Sequence, residues 1–151
     1  MKKIFLGSNG TFINKNIAKA VGKPAKEIKL AYITTASKGV SNTGYIEANK
    51  KMMAELGINY QEIDIEGKTS LELWNMLEHK DAVYLSGGNT FYLLKAARES
   101  GFVKVIKDLI EKGVVYLGES AGAYLACPTI EMADWKHQDK YNEMVAKFIL
   151  L

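Results

Sequence analysis

The chain has 151 residues, of which 48% are hydrophobic and 25% charged, and this composition is that of a globular domain and not of a disordered chain. Its 20 basic and 17 acidic residues give a formal net charge of +3. The lysines alternate with acidic residues instead of forming the basic cluster typical of a nucleic-acid surface. We therefore expect one domain over residues 1–151 that binds no nucleic acid.

The N-terminal residues begin like a signal peptide, but Gly7, Ser8 and Asn9 interrupt the apolar run after a few residues. A buried first strand explains this segment better. The sequence contains no apolar run of about 18 residues, so we expect no membrane-spanning segment. These observations predict a cytosolic protein.

Short apolar segments flanked by Gly, Ser or Asn are typical of β-strands. Those in this sequence are residues 4–6, 28–34, 60–65, 82–85 and 114–117. The last two are apolar throughout, as expected for strands that are covered on both faces of a parallel sheet.

Amphipathic segments between the strands predict helices. They are residues 43–56, 70–78 with Ser70 as its cap, 90–99 and 103–112. The alternation of strands and helices predicts an α/β fold: a doubly wound, mostly parallel sheet with helices on both faces. A last amphipathic helix is predicted over 140–151, and because its apolar end must pack against something, a homodimer is one explanation.

The first candidate site is the loop 86–90, Ser-Gly-Gly-Asn-Thr, between a predicted strand and a predicted helix. Ligands of open α/β sheets bind at the carboxyl ends of the strands. The glycines allow the backbone to approach a ligand, and the helix N-terminus directs amide groups towards negative charge. The alternative is a tight turn in which Asn89 or Thr90 caps the helix.

The second candidate site, residues 118–122, reads Gly-Glu-Ser-Ala-Gly and matches the G-x-S-x-G nucleophile elbow. An apolar strand precedes it and small residues follow it, as that motif requires. Its glycines allow a sharp turn that projects the Ser120 hydroxyl above the sheet, and the Ala121 amide then faces an oxyanion beside Ser120. The alternative is a glycine-bounded turn that only packs the helix against the sheet.

Together the two loops resemble the dipeptidase E family of serine peptidases, which are cytosolic exopeptidases related to cyanophycinase. The matching segments, in order, are 85–94, 98–101, 118–123 and 126–130. Residues 1–10 and the loop 34–37 also resemble the opening strands of that family. The resemblance implies a fold like that of class I glutamine amidotransferases and short peptide substrates with an N-terminal aspartate. It implies Ser120 as nucleophile, and the backbone N–H groups of Gly88 and Ala121 as the oxyanion hole. It also implies Asn89 as a substrate-binding residue and Asp134 as the acidic residue of the site.

The C-terminal segment departs from that family, in which the catalytic histidine follows the acidic residue on further strands. His137 follows Asp134 by only three residues, and its polar neighbours are typical of a solvated loop. His79 is better explained by an interaction with a helix C-terminus. A serine without an adjacent base is a poor nucleophile, and loss of one triad member lowers turnover by about 10⁴- to 10⁶-fold. We therefore expect a shortened family member with an incomplete triad and very weak or absent activity.

Three functions remain open at this point. The chain is a working serine peptidase whose base is His137 or comes from another subunit. Alternatively, it is a catalytically silent relative that binds a ligand or associates with itself through an exposed sheet edge. The third reading, an esterase or acyltransferase with the same elbow, needs a late histidine that the sequence lacks.

Several other residues have a structural and a chemical interpretation. Cys127 is expected to be a buried packing residue, and Glu119 either orients a base or faces solvent. The tyrosines 84, 116 and 124 are expected in the core or in a pocket wall. The sequence shows no metal-binding cluster, and its glycine-rich loop lacks the lysine of a Walker P-loop, so we expect no cofactor.

Overall fold

The computed structural model describes residues 2–136, in which each strand is followed by one or two helices or a short 3₁₀ turn. The strands are β1 (Ile4–Gly7), β2 (Leu30–Ile33), β3 (Tyr60–Ile63), β4 (Ala82–Leu85) and β5 (Val115–Glu119). The helices are α1 (Gly10–Val21), α2 (Gly44–Glu55), α3 (Ser70–Leu77), α4 (Thr90–Glu99), α5 (Phe102–Glu111) and α6 (Ala121–Leu125). Short 3₁₀ turns cover Ala25–Glu27, Thr35–Gly39 and Glu131–Lys136.

The five strands form one parallel sheet in the order β1-β5-β4-β2-β3. Because every pair is parallel, the loops that follow the strands all lie at the same edge of the sheet, its carboxyl edge. The loops after β1, β2, β4 and β5 meet there, although they are far apart in sequence. The predicted α/β fold with a parallel sheet is confirmed.

Two apolar layers enclose the sheet. Side chains of α1 and α2 cover one face, and those of α3, α4, α5 and α6 cover the other. Strand β4 shows the consequence, because Ala82 and Tyr84 belong to the first layer while Val83 and Leu85 belong to the second. Burial on both faces explains why this strand is apolar throughout.

Helix α1 is not predicted by the sequence analysis. Its buried apolar side chains are only Ile13 and Ile17, and the buried face also carries the polar Asn14, so the apolar stripe is short. The ends of α1 are marked by capping groups: Asn9 Oδ1 accepts a hydrogen bond from the Phe12 amide, and Gly22 ends the helix with a φ of 79°.

The N-cap of helix α3 lies one residue before the predicted cap. Thr69, not Ser70, is the N-cap, and it forms a capping box with Glu72 in which each side chain accepts a hydrogen bond from the other residue's backbone amide. The predicted helix over 140–151 and His137 lie outside the described residues. None of the described helices has the length and apolar character that crossing a membrane requires.

Candidate active site

Ser120 occupies a sharp turn between β5 and α6, at the carboxyl edge of the sheet. Its φ of 47° and ψ of −102° make it the one non-glycine residue with a positive φ among residues 2–136. The turn is held by hydrogen bonds from the Ser120 amide to the Gly7 carbonyl (2.9 Å) and from the Tyr124 amide to the Ser120 carbonyl (2.9 Å). Such a backbone costs about 1–3 kcal/mol and is found mostly at functional sites. Ser120 itself is only partly buried, as a nucleophile elbow requires.

The two glycines of the elbow are needed for close packing. A Cβ atom at Gly118 would lie 2.7 Å from the Gly122 carbonyl oxygen, and one at Gly122 would lie 2.4 Å from the Leu85 carbonyl oxygen. The Tyr116 hydroxyl also donates a hydrogen bond to the Gly122 carbonyl at 2.7 Å. The motif therefore brings α6 directly onto β4 and β5, and this packing holds Ser120 in place.

The loop after β4 lies against the loop after β2. Gly88 has a φ of 139°, and a Cβ atom there would lie 2.3 Å from the Ala36 carbonyl oxygen, so only glycine fits. The next residue, Asn89, donates its backbone amide to that same carbonyl at 2.9 Å. The Asn89 side chain is buried and caps α4 by accepting from the amides of Phe91 and Tyr92. Asn89 therefore supports the conformation of Gly88 and holds the start of α4.

Two pockets meet at Ser120. The polar pocket, of about 200 Å³, is lined by Ser120 together with Ser8, Asn9, Tyr45, Gly87, Gly88 and Glu119. The apolar pocket, of about 330 Å³, is lined by Ser120 together with Leu6, Gly7, Ser8, Ala123 and Tyr124. The backbone amides of Gly88 and Ala121 donate no hydrogen bond to another described residue, and both belong to the loops that form this region.

Glu119 lies behind Ser120 and is only 5% exposed. Its Oε2 accepts hydrogen bonds from the Tyr84 hydroxyl at 2.7 Å and from Asn49 Nδ2 at 2.9 Å. Asn49 Nδ2 also donates to the Tyr32 hydroxyl, and Asn49 Oδ1 accepts from Asn14 Nδ2, both at 3.0 Å. The interpretation of Glu119 as a solvent-facing residue is therefore wrong, because this side chain belongs to a buried polar network.

The tyrosines around Glu119 remain protonated at neutral pH. Burial is the main reason why the pKa of Tyr84 lies well above its usual value, and the negative charge of Glu119 raises it further. The same two causes raise the pKa of Tyr45 to about 12. A protonated Tyr84 can donate its hydrogen bond to Glu119, whereas a phenolate could not.

Sequence reasoning missed Asn49 and Tyr45, both on α2. The burial of Glu119 itself could have been found from the alternation of side chains along β5, since Val115, Leu117 and Glu119 point to the same face. The contact with Asn49 has no local signal, because 70 residues separate it from Glu119.

The remaining residues considered from the sequence are Asp134, His79 and Cys127, and each lies in a different part of the fold. Asp134 is exposed on the 3₁₀ turn Glu131–Lys136, which packs against α6. His79 is exposed just before β4, at the amino edge of the sheet and therefore opposite Ser120, with Nε2 at 3.5 Å from Glu78 Oε1. Cys127 is partly buried, and its Sγ donates to the Ala123 carbonyl at 3.5 Å.

A parallel sheet that holds the serine of a G-x-S-x-G segment in a strained strand-to-helix turn at its carboxyl edge defines a class of α/β proteins. The chain matches the model of peptidase family S51 over residues 4–151. This chain therefore belongs to peptidase family S51, a family of serine-type peptidases.

Similar proteins agree with this assignment. The chain is 40% identical over 101 residues to the uncharacterized peptidase Lmo0363 of Listeria monocytogenes, a match that covers 67% of this chain and 49% of the relative. It is 39% identical over 94 residues to Peptidase E of Shigella flexneri, covering 61% of this chain and 39% of that protein. The chain thus spans about half or less of the length of these relatives.

Solved structures share the fold. A crystal structure of a Listeria monocytogenes EGD-e protein assigned to peptidase E superimposes with a TM-score of 0.88 and 31% identity, covering 99% of this chain and 74% of that one. A peptidase from an acI-B1 Actinobacterium superimposes with a TM-score of 0.64 at 18% identity and shows the fold alone.

Proposed function

We propose that this protein is a serine-type peptidase that hydrolyses short peptides with Ser120 as its nucleophile. The observation that carries this proposal is the strained Ser120 turn, which places a partly exposed serine where two pockets meet. A strained backbone that exposes a serine at the carboxyl edge of a parallel sheet supports a nucleophile more than a packing role, since packing alone needs no positive φ.

In the proposed reaction, Ser120 Oγ attacks the carbonyl carbon of the scissile peptide bond and its proton passes to a general base. The amides of Gly88 and Ala121 then donate hydrogen bonds to the negatively charged oxygen of the tetrahedral intermediate. The C–N bond breaks as the leaving amine takes up a proton, and water hydrolyses the remaining acyl ester. The Gly88 amide has a fixed position for this step because the neighbouring Asn89 amide is hydrogen-bonded to Ala36.

The base of this reaction is proposed to be His137 or a residue from another subunit, with Asp134 as the acidic residue that orients it. The one histidine among residues 2–136 is His79, at the opposite edge of the sheet. If neither base is in place, we expect the very weak activity that an isolated serine and an oxyanion hole support.

We also propose that the substrates carry an N-terminal aspartate and that the protein acts in the cytosol, as the family resemblance implies. No lysine, arginine or histidine of residues 2–136 lines either pocket at Ser120. A cation for the aspartate side chain is therefore expected from outside these described residues. The preference is tested by comparing the hydrolysis of Asp-Leu with that of Ala-Leu.

The proposal is tested with the purified full chain, by measuring the release of free leucine from Asp-Leu. We expect Ser120→Ala to abolish turnover, while Ser70→Ala, a serine on α3 that lines neither pocket, leaves it unchanged. A fluorophosphonate that labels the wild type but not Ser120→Ala would identify the nucleophile even at low turnover. Unchanged hydrolysis by Ser120→Ala, or no hydrolysis and no labelling of the wild type, contradicts the proposal.

A second candidate is a catalytically silent protein that forms homodimers through a sheet edge. Strand β1 is an edge strand of the described sheet and exposes Ile4 (40%) and Leu6 (41%). This candidate predicts a dimer in light scattering, dissociated by Ile4→Lys, together with no turnover and no labelling of Ser120. A monomer that hydrolyses peptides excludes it.

A further inference from the structure

Glu119 is a buried carboxylate that forms no ion pair with any residue of the described part of the chain, 2–136. Among the ion pairs formed by residues 2–136, none includes Glu119. Its two hydrogen-bond donors, Tyr84 and Asn49, are neutral and both contact Oε2. Burying a charge is unfavourable unless a partner of opposite charge is supplied. A ligand with a positive charge would provide that partner.

The other carboxylate oxygen, Oε1, borders the polar pocket because Gly87 has no side chain. A Cβ atom at Gly87 would lie 3.5 Å from Glu119 Oε1 and 3.4 Å from Ser120 Cβ. These two atoms are therefore less than about 7 Å apart, the sum of the two distances. The space beside Gly87 is where a group attached to the scissile carbonyl would lie during attack by Ser120.

The separation of Glu119 Oε1 from Ser120 is compatible with a bound α-ammonium group next to the scissile carbonyl of a peptide. The α-nitrogen of a residue is about 2.5 Å from its own carbonyl carbon by covalent geometry, and an attacked carbonyl carbon lies about 3–3.5 Å from the nucleophile. A free α-ammonium group on the acyl side can thus reach hydrogen-bond distance of a carboxylate placed as Glu119 is. The ammonium of a lysine side chain lies several bonds further from the carbonyl and has no such fixed position.

We propose that Glu119 binds the α-ammonium group of the substrate's N-terminal residue and so restricts the enzyme to peptides with a free N-terminus. This inference rests on the proposed peptidase function. The N-terminal residue then occupies the polar pocket, between Glu119 and the Gly88 amide. The leaving residue extends towards Leu6, Ala123 and Tyr124 in the apolar pocket. The Tyr84 and Asn49 hydrogen bonds hold Oε2, which leaves Oε1 directed at the ligand.

The inference is tested by binding, which does not depend on turnover. The probes are Asp-Leu and succinyl-leucine, which differ only in the α-amino group, and their affinities for the Ser120→Ala protein are measured by calorimetry. We expect Asp-Leu to bind at least about 10-fold more tightly than succinyl-leucine. Adding Glu119→Gln is expected to weaken Asp-Leu about 10- to 100-fold, the range for a hydrogen bond between charged groups. Succinyl-leucine binding should change less than about 3-fold.

Glutamine keeps the shape of Glu119 and can still accept from Tyr84 and Asn49 through its amide oxygen, and thermal melting checks the fold. Glu111→Gln, which removes an exposed carboxylate on α5, is the matched control and should change neither affinity. Equal affinities of the two probes for Ser120→Ala, equal losses on Glu119→Gln, or no binding of Asp-Leu contradict the inference. Selective binding without hydrolysis and without fluorophosphonate labelling of the wild type contradicts the peptidase function alone. Hydrolysis with unchanged selectivity in Glu119→Gln contradicts the inference alone.

Discussion

At the level of single residues, two glycines shape the site because they have no side chain. Gly87 and Gly88 are neighbours on one loop, yet they serve different needs. Gly88 lies against the Ala36 carbonyl in a backbone conformation that L-residues rarely adopt, whereas Gly87 leaves an open space between Ser120 and Glu119.

This difference predicts opposite effects of two alanine substitutions. Gly87→Ala should fold with nearly wild-type stability, because its Cβ would make ordinary contacts at 3.4 and 3.5 Å, but it should lower peptide affinity by filling the polar pocket. Gly88→Ala should lower the free energy of unfolding by more than about 2 kcal/mol, through backbone strain and the clash with Ala36. Urea denaturation and peptide binding of the two variants check this, and equal stabilities would contradict it.

The hydrogen bond from Tyr84 to Glu119 predicts a measurable loss of stability in Tyr84→Phe. The hydroxyl is buried and contacts a carboxylate, so its removal should lower the free energy of unfolding by about 1.5–3 kcal/mol. Tyr60→Phe is the control, because that hydroxyl has no hydrogen bond to a described residue. Equal urea midpoints for the two variants would show that the contact contributes nothing.

At the level of elements, the contact of α1 with α2 positions the buried network. Gly10, the first residue of α1, lies against Asn49 of α2 so closely that a Cβ atom would be 1.9 Å from Asn49 Oδ1. Since Asn49 holds Glu119, the packing of two helices on one face of the sheet determines where a carboxylate lies at its edge.

We expect Gly10→Ala to destabilise the protein, although alanine is normally the better helix residue by about 1 kcal/mol. The clash must displace Asn49 or separate the helices, and peptide affinity should fall with stability. Gly44→Ala, at the first residue of α2, is the matched control, because its nearest atom would be 3.5 Å away. Thermal unfolding of both variants tests this, and an unchanged melting temperature for Gly10→Ala would contradict it.

At the level of the whole molecule, charged side chains connect the loop after β2 with the loop after β3. Lys38 forms ion pairs with Asp64 and Glu66, and Tyr92 of α4 donates a hydrogen bond to Glu66. Burial tends to raise the pKa of Asp64, but hydrogen bonds from Lys38, the Glu66 amide and Thr35 lower it overall. Hydrogen bonds from Lys38 and then Tyr92 lower the pKa of Glu66.

These shifts predict how stability depends on pH. Both carboxyl groups have a lower pKa when folded than their ordinary values of 3.8 and 4.5, so they contribute stability at pH above about 5. That contribution is lost as the pH falls through 4.5 and 3.8 to the lower folded values, because the unfolded chain binds protons first. Lys38→Met should lower stability at pH 7 and flatten this dependence.

Urea midpoints between about pH 3 and pH 7 test the prediction. Both partners are partly exposed, so the effect is expected to be modest and to shrink at high salt. Lys104→Met is the control, since Lys104 pairs with Asp108 on the exposed surface of α5. A slope for Lys38→Met equal to that of the wild type would show that this cluster does not control acid stability.

Local patterns in the sequence were enough to predict the five strands, four of the helices and the turn at Ser120. The periodicity of apolar residues in strands and helices follows from which faces are buried. The two glycines of residues 118–122 indicate a turn in which the backbone packs closely. Helix α1 escaped prediction because its buried face is short and includes Asn14. The role of Ser120 as nucleophile, and those of Gly88, Ala121 and Asp134, remain proposals.

Only the tertiary structure decided what surrounds Glu119. Its partners Tyr84 and Asn49 are 35 and 70 residues away in sequence, and no pattern in a linear chain indicates which polar groups will meet inside it. The parallel sheet brings them together because every strand ends at one edge and α2 packs beside it. The sequence therefore determined where the strained turn at Ser120 forms, while the fold determined that a buried carboxylate, unpaired with any cation of residues 2–136, lies beside it.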